Sequence, residues 1–436
     1  MRTYMSYKPS GIEWIGEIPQ HWKVKKLKYF STVISGSTPS SSEEKFWDGD
    51  IYWVTTDDLG KLLTKEINDS KRKITKEGFD SCGTKLAPKG SIVISSRAPI
   101  GHLGKLLIEA CTNQGCKTVI FPEKIYSDFY YYFFLSAKED IQALGKGTTF
   151  TELPTQALRD YISLFPNFSE QTAIANFLDH KTAEIDQAMA DKKQLITLFE
   201  EEKKALINEA VTKGLNPDAK LTPSGIDWLG DIPAHWEVKK LKYISNAIQT
   251  GKTPPTSNEE YYLSEDYDWF TPGDFGSNII LENSIRKISQ SAVDEEGLRL
   301  YAPYTVLLVS IGATLGKIGI VLETCFSNQQ INSITFDDNK MLPFFGAYFL
   351  DCFSSIIKMQ SVASTLSILN QEKTKELLVA VPPLSEQTAI VNHIETETAK
   401  INSKIHLVKQ EIELLSEYKK ALIFEAVTGK IDVQEA

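Results

Sequence analysis

Cysteine is scarce in this chain and is arranged for neither of its common structural uses. The five cysteines, Cys82, Cys111, Cys116, Cys325 and Cys352, are odd in number and contain no Cys-x-x-Cys pair. Neither a disulfide framework nor a zinc site is indicated, and buried free thiols are expected. Long apolar runs are also missing. No stretch approaches the roughly 20 residues needed to cross a bilayer, so no membrane span is expected. The opening Met1-Arg2-Thr3-Tyr4-Met5-Ser6-Tyr7 lacks the apolar core of a secretory signal, which makes the cytoplasm the expected location. Catalytic signatures are absent as well: no GxSxG elbow, no HExxH helix, no GxGxxG after a strand, and neither Asn-Pro-Pro-Tyr nor Asp-Pro-Pro-Tyr. The six histidines, His21, His102, His180, His235, His393 and His406, form no spacing suited to a metal. Gly312-Ala313-Thr314-Leu315-Gly316-Lys317 is one residue short of a phosphate loop and lacks the hydroxyl after the lysine, so it reads as a turn between strands. The chain is expected to catalyse nothing by itself and to hold neither metal nor cofactor.

What the sequence does contain, it contains twice. Pro9 to Tyr29 reads PSGIEWIGEIPQHWKVKKLKY and Pro223 to Tyr243 reads PSGIDWLGDIPAHWEVKKLKY, with 16 identities in 21 positions. The echo continues through Trp53-Val54-Thr55 and Trp269-Phe270-Thr271, Asn113-Gln114 and Asn328-Gln329, and Ser169-Glu170-Gln171-Thr172-Ala173-Ile174 and Ser385-Glu386-Gln387-Thr388-Ala389-Ile390. It closes with Lys203-Lys204-Ala205-Leu206-Ile207 and Lys419-Lys420-Ala421-Leu422-Ile423. A repeat this long is no solenoid, whose units run about 20 to 50 residues. It makes a pseudo-dimer, the kind of object that can grip two half-sites.

After each second-half marker the pattern turns helical. Ile394, Ile401, Val408, Leu415 and Leu422 recur every seven residues, with Ile405 and Ile412 interleaved. The first copy has Leu178, Ile185, Phe199 and Leu206, with Met189 and Ile196 interleaved and Lys192 breaking the stripe once. Such a stripe predicts two helices of about 40 residues, roughly 60 Å each, that bury it against one another as an antiparallel coiled coil. Ser169 and Ser385 are the expected N-caps, and Gly214 and Gly429 the expected stops. Between the helices lie short β-rich runs and short helices, so the fold class expected is α+β. Two pseudo-symmetric globes, at 1–165 and 216–382, alternate with long helices at 166–215 and 383–436.

His21 and His235 each stand between a proline and a tryptophan, in Pro19-Gln20-His21-Trp22 and Pro233-Ala234-His235-Trp236, and read as capping and packing residues. The net charge of −10 argues against simple nucleic-acid binding. DNA affinity would rest on local clusters such as Lys23-Lys25-Lys26-Lys28 and Lys71-Arg72-Lys73, or on basic partner subunits.

The paired openings Gly11–Trp22 and Gly225–Trp236, the paired helix starts, and the order globe, helix, globe, helix resemble the specificity subunits of type I restriction and modification enzymes. The resemblance spans essentially the whole chain. It implies a non-catalytic reader of double-stranded DNA whose two target-recognition domains each bind half of an asymmetric, bipartite sequence. The helical pair would be the spacer and the place where two methyltransferase subunits dock, with restriction and translocase subunits recruited to that core. S-adenosylmethionine, ATP and Mg would then sit on the partners. Candidate DNA contacts are Lys71, Arg72, Lys73, Arg286 and Lys287 as phosphate-positioning groups, and Arg97, beside Ser96, as a guanine reader. To these are added Ser310, Thr314 and Lys317, and Lys146, Thr148 and Thr149 with their counterparts Ser364 and Thr365. Asn113-Gln114 and Asn328-Gln329 suit adenine reading or a structural role equally. Two rival readings remain: a specificity subunit of a type II assembly with fused methyltransferase and nuclease, and a two-lobed protein-interaction scaffold.

Overall fold

A computed structural model of the chain describes residues 2–97, 99–147, 151–276, 278–361 and 368–434. They form two compact units, one built from Met1–Lys192 with Lys409–Ala436 and the other from Lys193–Val408. Each unit therefore holds one globe and a segment of each long helix.

In the first unit a five-stranded sheet runs in the order Thr32–Ser35, Cys116–Ile120, Ile92–Ser95, Leu103–Leu106, Glu66–Ile67. All neighbours are antiparallel except the last pair, which is parallel. The central strand Ile92-Val93-Ile94-Ser95 is buried at every position, as a strand covered on both faces must be. The helix Ser127–Ser136 lays Phe129, Tyr130, Phe133 and Phe134 into one core with Trp22 and Leu27. That core is completed from the far end of the sequence by Leu422, Ile423, Ala426, Val427, Ile431 and Val433. A large apolar side chain buried this way contributes about 1.5–3 kcal/mol, so the C-terminal segment is part of the first globe's core.

The second unit repeats the topology as Ser245–Thr250, Ile331–Phe336, Val306–Val309, Ile318–Val321, Ile280–Leu281. Here Ala210 and Val211, at the end of the first long helix, pack with Trp236, Phe345 and Phe349. The segment Gly312–Lys317 is the turn between the strands Val306–Val309 and Ile318–Val321.

The long helices are Phe168–Lys213 and Leu384–Val427. Their pairing is antiparallel in both units: Asp186 meets Lys419 and Lys192 meets Glu411 in the first, while Phe199 meets Lys404 and Lys203 meets Asn402 in the second. Of the heptad positions, Leu178, Ile185, Ile394, Ile401, Ile405, Val408 and Leu422 are buried, and Met189, Ile196, Phe199, Leu206, Ile412 and Leu415 are half-buried. The caps correct one expectation. Asn167, not Ser169, caps the first helix: its Oδ1 accepts from the Glu170 amide at 2.9 Å while Glu170 Oε2 accepts from the Asn167 amide at 3.2 Å. At the second helix Ser385 again lies inside the first turn, and the Glu386 amide donates to the Pro383 carbonyl. Both stops are glycines at positive φ, Gly214 at 72° and Gly429 at 70°.

The repeated Glu-Gln pair at the helix starts ties each helix to its globe. Gln171 Oε1 accepts from the Tyr126 amide and Gln387 Oε1 from the Leu342 amide, each just before a globe helix. Glu170 and Glu386 each take a histidine, His21 and His235, at 2.8 Å. These histidines brace the helix starts, in line with their reading as capping and packing residues.

Candidate nucleic-acid interface

Beside each five-stranded sheet stands a three-stranded one, and both are built on the same hydrogen-bonded frame. In the first globe Trp47–Val54 lies between Cys111–Thr112 and Arg72–Ile74. Thr55 then opens a short helix with a capping box in which Asp58 Oδ2 accepts from the Thr55 amide at 2.8 Å. The other oxygen of Asp58 accepts from the Lys71 amide at 3.1 Å, which anchors the residue before Arg72. Ser70 accepts from the Trp53 amide and donates to the Arg72 carbonyl. The result is an exposed arginine on a fixed backbone, with its guanidinium 3.5 Å from the centre of the Trp47 ring. Lys73 sits 4.3 Å above the Tyr52 ring.

The second globe matches this bond for bond. Asp274 accepts from the amides of Thr271 and Ile285, both at 2.6 Å. Ser284 accepts from the Trp269 amide and donates to the Arg286 carbonyl, and Lys287 follows, 3.9 Å from Asp268. Arg72 and Arg286 therefore occupy equivalent exposed places and Lys73 and Lys287 equivalent half-buried ones, while Lys71 has Ile285 as its counterpart.

A second strip of backbone closes each frame. The Asn113 amide donates to the Val54 carbonyl and the Asn328 amide to the Phe270 carbonyl. The neighbouring turn must be glycine, because a Cβ on Gly36 would lie 2.1 Å from the Asn113 oxygen and one on Gly251 would lie 2.3 Å from the Asn328 oxygen. Trp53 Nε1 and Trp269 Nε1 bond the next carbonyls, of Ser37 and Lys252, at 3.0 and 3.2 Å. At the exposed edge Thr38 pairs with Gln114, and Thr253 with Gln329. Asn113 and Asn328 thus serve the frame, while Gln114 and Gln329 reach solvent.

The other candidates fall on a different loop set, where the globes diverge. Arg97 is exposed but engaged, its Nε and Nη2 donating to Glu152 at 3.1 and 2.9 Å, and Lys117 reaches the same carboxylate at 3.2 Å. Burial works to raise the Glu152 carboxyl, but the hydrogen bonds from Arg97 and Lys117 outweigh it and hold it below its usual range. Lys146, exposed, pairs through its backbone with Glu152, so Arg97 and Lys146 flank one acid. The second globe has Ile311 bridged to Ile368 in the place of Arg97 and Glu152. Two expectations are corrected here: Ser96 is 0% and Ser310 2% exposed, so neither hydroxyl is presented at the surface. The backbone explains the burial, since the Ser96 carbonyl receives the Leu153 amide and the Ser310 carbonyl the Leu369 amide. Thr314 is half-buried, and Lys317 donates to the Phe275 carbonyl at 2.6 Å. Thr148, Thr149, Ser364 and Thr365 lie outside the described residues.

Sequence reasoning missed Glu152 and the paired aspartates. The Thr-x-x-Asp spacing, present at Thr55–Asp58 and again at Thr271–Asp274, is a capping-box signal that was there to be read.

Comparison with known proteins places these features in a family. The model of the type I restriction modification DNA specificity domain matches the chain twice, at residues 19–198 and 233–414. The MjaIX specificity subunit of a type I restriction enzyme from Methanocaldococcus jannaschii is 26% identical over 429 residues, which cover 97% of this chain and 96% of that protein. Among solved structures, a chain from a study of complex assembly and conformational transition of the type I R-M system superposes with a TM-score of 0.72 at 15% identity, covering 95% of this chain and 99% of its own. The HsdS subunit from Thermoanaerobacter tengcongensis superposes with a TM-score of 0.56 at 15% identity, over 95% of this chain and 98% of its own.

Proposed function

Because the chain belongs to the type I restriction modification DNA specificity family, we propose that its two globes read the two halves of an asymmetric, bipartite DNA target through a shared frame and a divergent rim. It is the DNA-specificity subunit of a type I restriction-modification enzyme. The observation that carries the division of labour is the bond-for-bond repetition of the Trp-Thr-Asp-Ser-Arg frame beside loops that do not repeat. Groups that serve two different words without change suit phosphate, which carries no sequence information, and this is the role given to Arg72, Lys73, Arg286 and Lys287. Groups that differ between the globes, such as Arg97 with Glu152 against Ile311 with Ile368, suit base reading.

The chemistry belongs to partners. Two methyltransferase subunits would bring S-adenosylmethionine, and restriction and translocase subunits would bring ATP and Mg, all acting in the cytoplasm. The long helices suit the methyltransferase contact, because they leave Leu414 and Tyr418 exposed in one unit and Leu195, Leu198 and Leu407 exposed in the other. Their length would set the spacing between half-sites. The test is modified-base sequencing of the host genome with and without the gene. Loss of methylated adenine at one two-part motif is expected, and an unchanged methylome with the methyltransferase expressed would overturn the reading.

A further inference from the structure

Outside the DNA frame, one surface patch recurs in both globes with its lysines and its tyrosine unchanged. In the first, the strand Lys23–Lys26, the turn Leu27–Tyr29 and the antiparallel strand Ile162–Phe165 enclose a shallow open depression of about 430 Å³. Val24, Lys25, Lys26, Tyr29 and Ile162 line it. In the second globe Val238, Lys239, Lys240 and Tyr243 hold the same places, and Leu378 stands opposite Lys240 as Ile162 stands opposite Lys26.

The fold does not require the outer part of this patch. The turn is anchored by Leu27 and Leu241, both 0% exposed, whereas Tyr29 is 71% and Tyr243 61% exposed. Ile162 is 42% exposed and lines the same depression as Val24 and Tyr29, so the exposed apolar surface here is contiguous. Nearby surface positions have drifted between the copies: Gln20 corresponds to Ala234, and Lys23 to Glu237, a reversal of charge. Two of the three lysines are also held alike, while Lys25 lies over the Phe165 ring and its counterpart Lys239 pairs with Glu237. Asp160 takes Lys26 at 3.4 Å and Lys28 at 2.7 Å, and Glu376 takes Lys240 at 2.5 Å and Lys242 at 2.6 Å. Hydrogen bonds from Lys28 and Gln156 hold the Asp160 carboxyl well below its usual range, and those from Lys240 and Lys242 bring Glu376 down to about 2.

Two like patches on one chain fit a partner present in two copies. An exposed tyrosine beside an aliphatic floor fits a protein surface better than phosphate, whose oxygens leave that floor unused, and the fixed carboxylate between the lysines offsets part of their pull on phosphate. Asp160 faces three lysines in the first patch, and Glu376 with Glu237, which pairs with Lys239, faces three in the second, so both patches remain basic and the complementary surface is apolar at its centre and acidic at its rim. We infer that these twin patches are docking sites for the two copies of the methyltransferase subunit, each placing an apolar side chain in the depression and carboxylates against the lysines. This rests on the assembly proposed above.

The test uses the full chain co-purified with its methyltransferase, with stoichiometry and stepwise affinity read by native mass spectrometry. Two copies bound to the unaltered chain is the outcome the assembly reading requires, and none bound would defeat that reading by itself. With two bound, Tyr29→Asp with Ile162→Asp is expected to weaken one binding step at least tenfold and leave the other unchanged. Tyr243→Asp with Leu378→Asp is expected to weaken the other step, and the four changes together both. Affinities within threefold of the unaltered chain in all three variants would overturn the docking site, as would intact stoichiometry with lost DNA binding, which would give the patch to DNA. A photo-crosslinking residue at the exposed positions Tyr29 and Tyr243 is an independent readout that does not depend on how the aspartate variants fold. Methyltransferase peptides captured at both positions support the site, and capture at neither overturns it.

Discussion

A buried ion network in the first globe has an apolar counterpart in the second, and exchanging one for the other tests how each globe is held. Lys65 and Lys105 donate to the two oxygens of Asp128, at 3.0 and 2.5 Å, and Lys65 and Tyr132 also reach Asp179 on the first long helix. The side chains of Asp128, Lys105 and Lys65 are 7%, 17% and 19% exposed. The equivalent places in the second globe hold Phe344, Ile320 and Ile279. The register follows from the paired bonds of Lys105 to the Lys65 carbonyl and Ile320 to the Ile279 carbonyl, and from Gln171 and Gln387 before the globe helices. Removing one partner of a buried pair costs about 3–5 kcal/mol, while replacing all members with packed apolar groups is neutral or stabilising. Allowing for the partial exposure of the lysines, Asp128→Ala is expected to cost about 3 kcal/mol. The triple exchange Lys65→Ile, Lys105→Ile and Asp128→Phe leaves Asp179, 38% exposed, with its bond from Tyr132, and should stay within about 1 kcal/mol of the parent. For a unit of this size that is a fall of about 6–12 °C in the first unit's transition for the single variant and little change for the triple. The assay is calorimetry, with hydrogen exchange to assign each transition to its unit. Burial raises the Asp128 carboxyl but the hydrogen bonds from Lys105 and Lys65 lower it more, so its folded value lies below the unfolded one. Its contribution is present above the unfolded carboxylate value near 3.9 and is lost as pH falls below it. The triple variant should lack that acid sensitivity in the first unit. A single variant that costs under 1 kcal/mol, or a triple as unstable as the single, would refute the reasoning.

Two further outcomes follow from the site and the core. Arg72→Ala and Arg286→Ala should weaken DNA binding by the assembled complex about equally for every sequence and lower the slope of log affinity against log salt by about one each, measured by salt titration; a changed recognition word would contradict their assignment to phosphate. Deleting residues 429–436 removes Ile431 and Val433, 6% and 4% exposed, and should cost the first unit about 3 kcal/mol in chemical denaturation while leaving the second unit's transition in place.

Much of the architecture was legible because it is periodic or repeated. The seven-residue stripe from Ile394 to Leu422 reads as a helix needing a partner, and the duplicated lines by themselves divide the chain. The helix cap was harder to read, since Asn167 and Ser169 are both capping residues two places apart and only backbone geometry decides between them. The ion network was invisible for a different reason: Lys65 and Asp179 are 114 residues apart, and nothing local in either marks the other. The same limit hid Glu152, which turned Arg97 from a free guanine reader into half of an ion pair. Ser96 and Ser310 looked like loop hydroxyls in sequence, and only the edge pairing of their carbonyls shows that they are inside.

The duplication supplies its own control, because each position in one globe has a twin that solved the same folding problem. Positions alike and buried, such as Gln171 and Gln387, are explained by the fold, which needs the same amide bonds twice. Positions different and at least half-buried, such as Asp128 and Phe344, show that the fold accepts more than one solution there, so identity elsewhere is not an automatic result of common origin. Positions different and near the frame, such as Glu152 and Ile368, are where two readers of different words must part. What remains is the class that is alike and exposed. Arg72 and Arg286 belong to it, and the ligand proposed for them, the phosphate backbone, is the same at both half-sites. Tyr29 and Tyr243 belong to it too, yet the aliphatic side chains beside them are left unused by phosphate, and the fold is already anchored by Leu27 and Leu241. An invariant surface needs an invariant partner, and for these two rings that partner has to be a protein met twice.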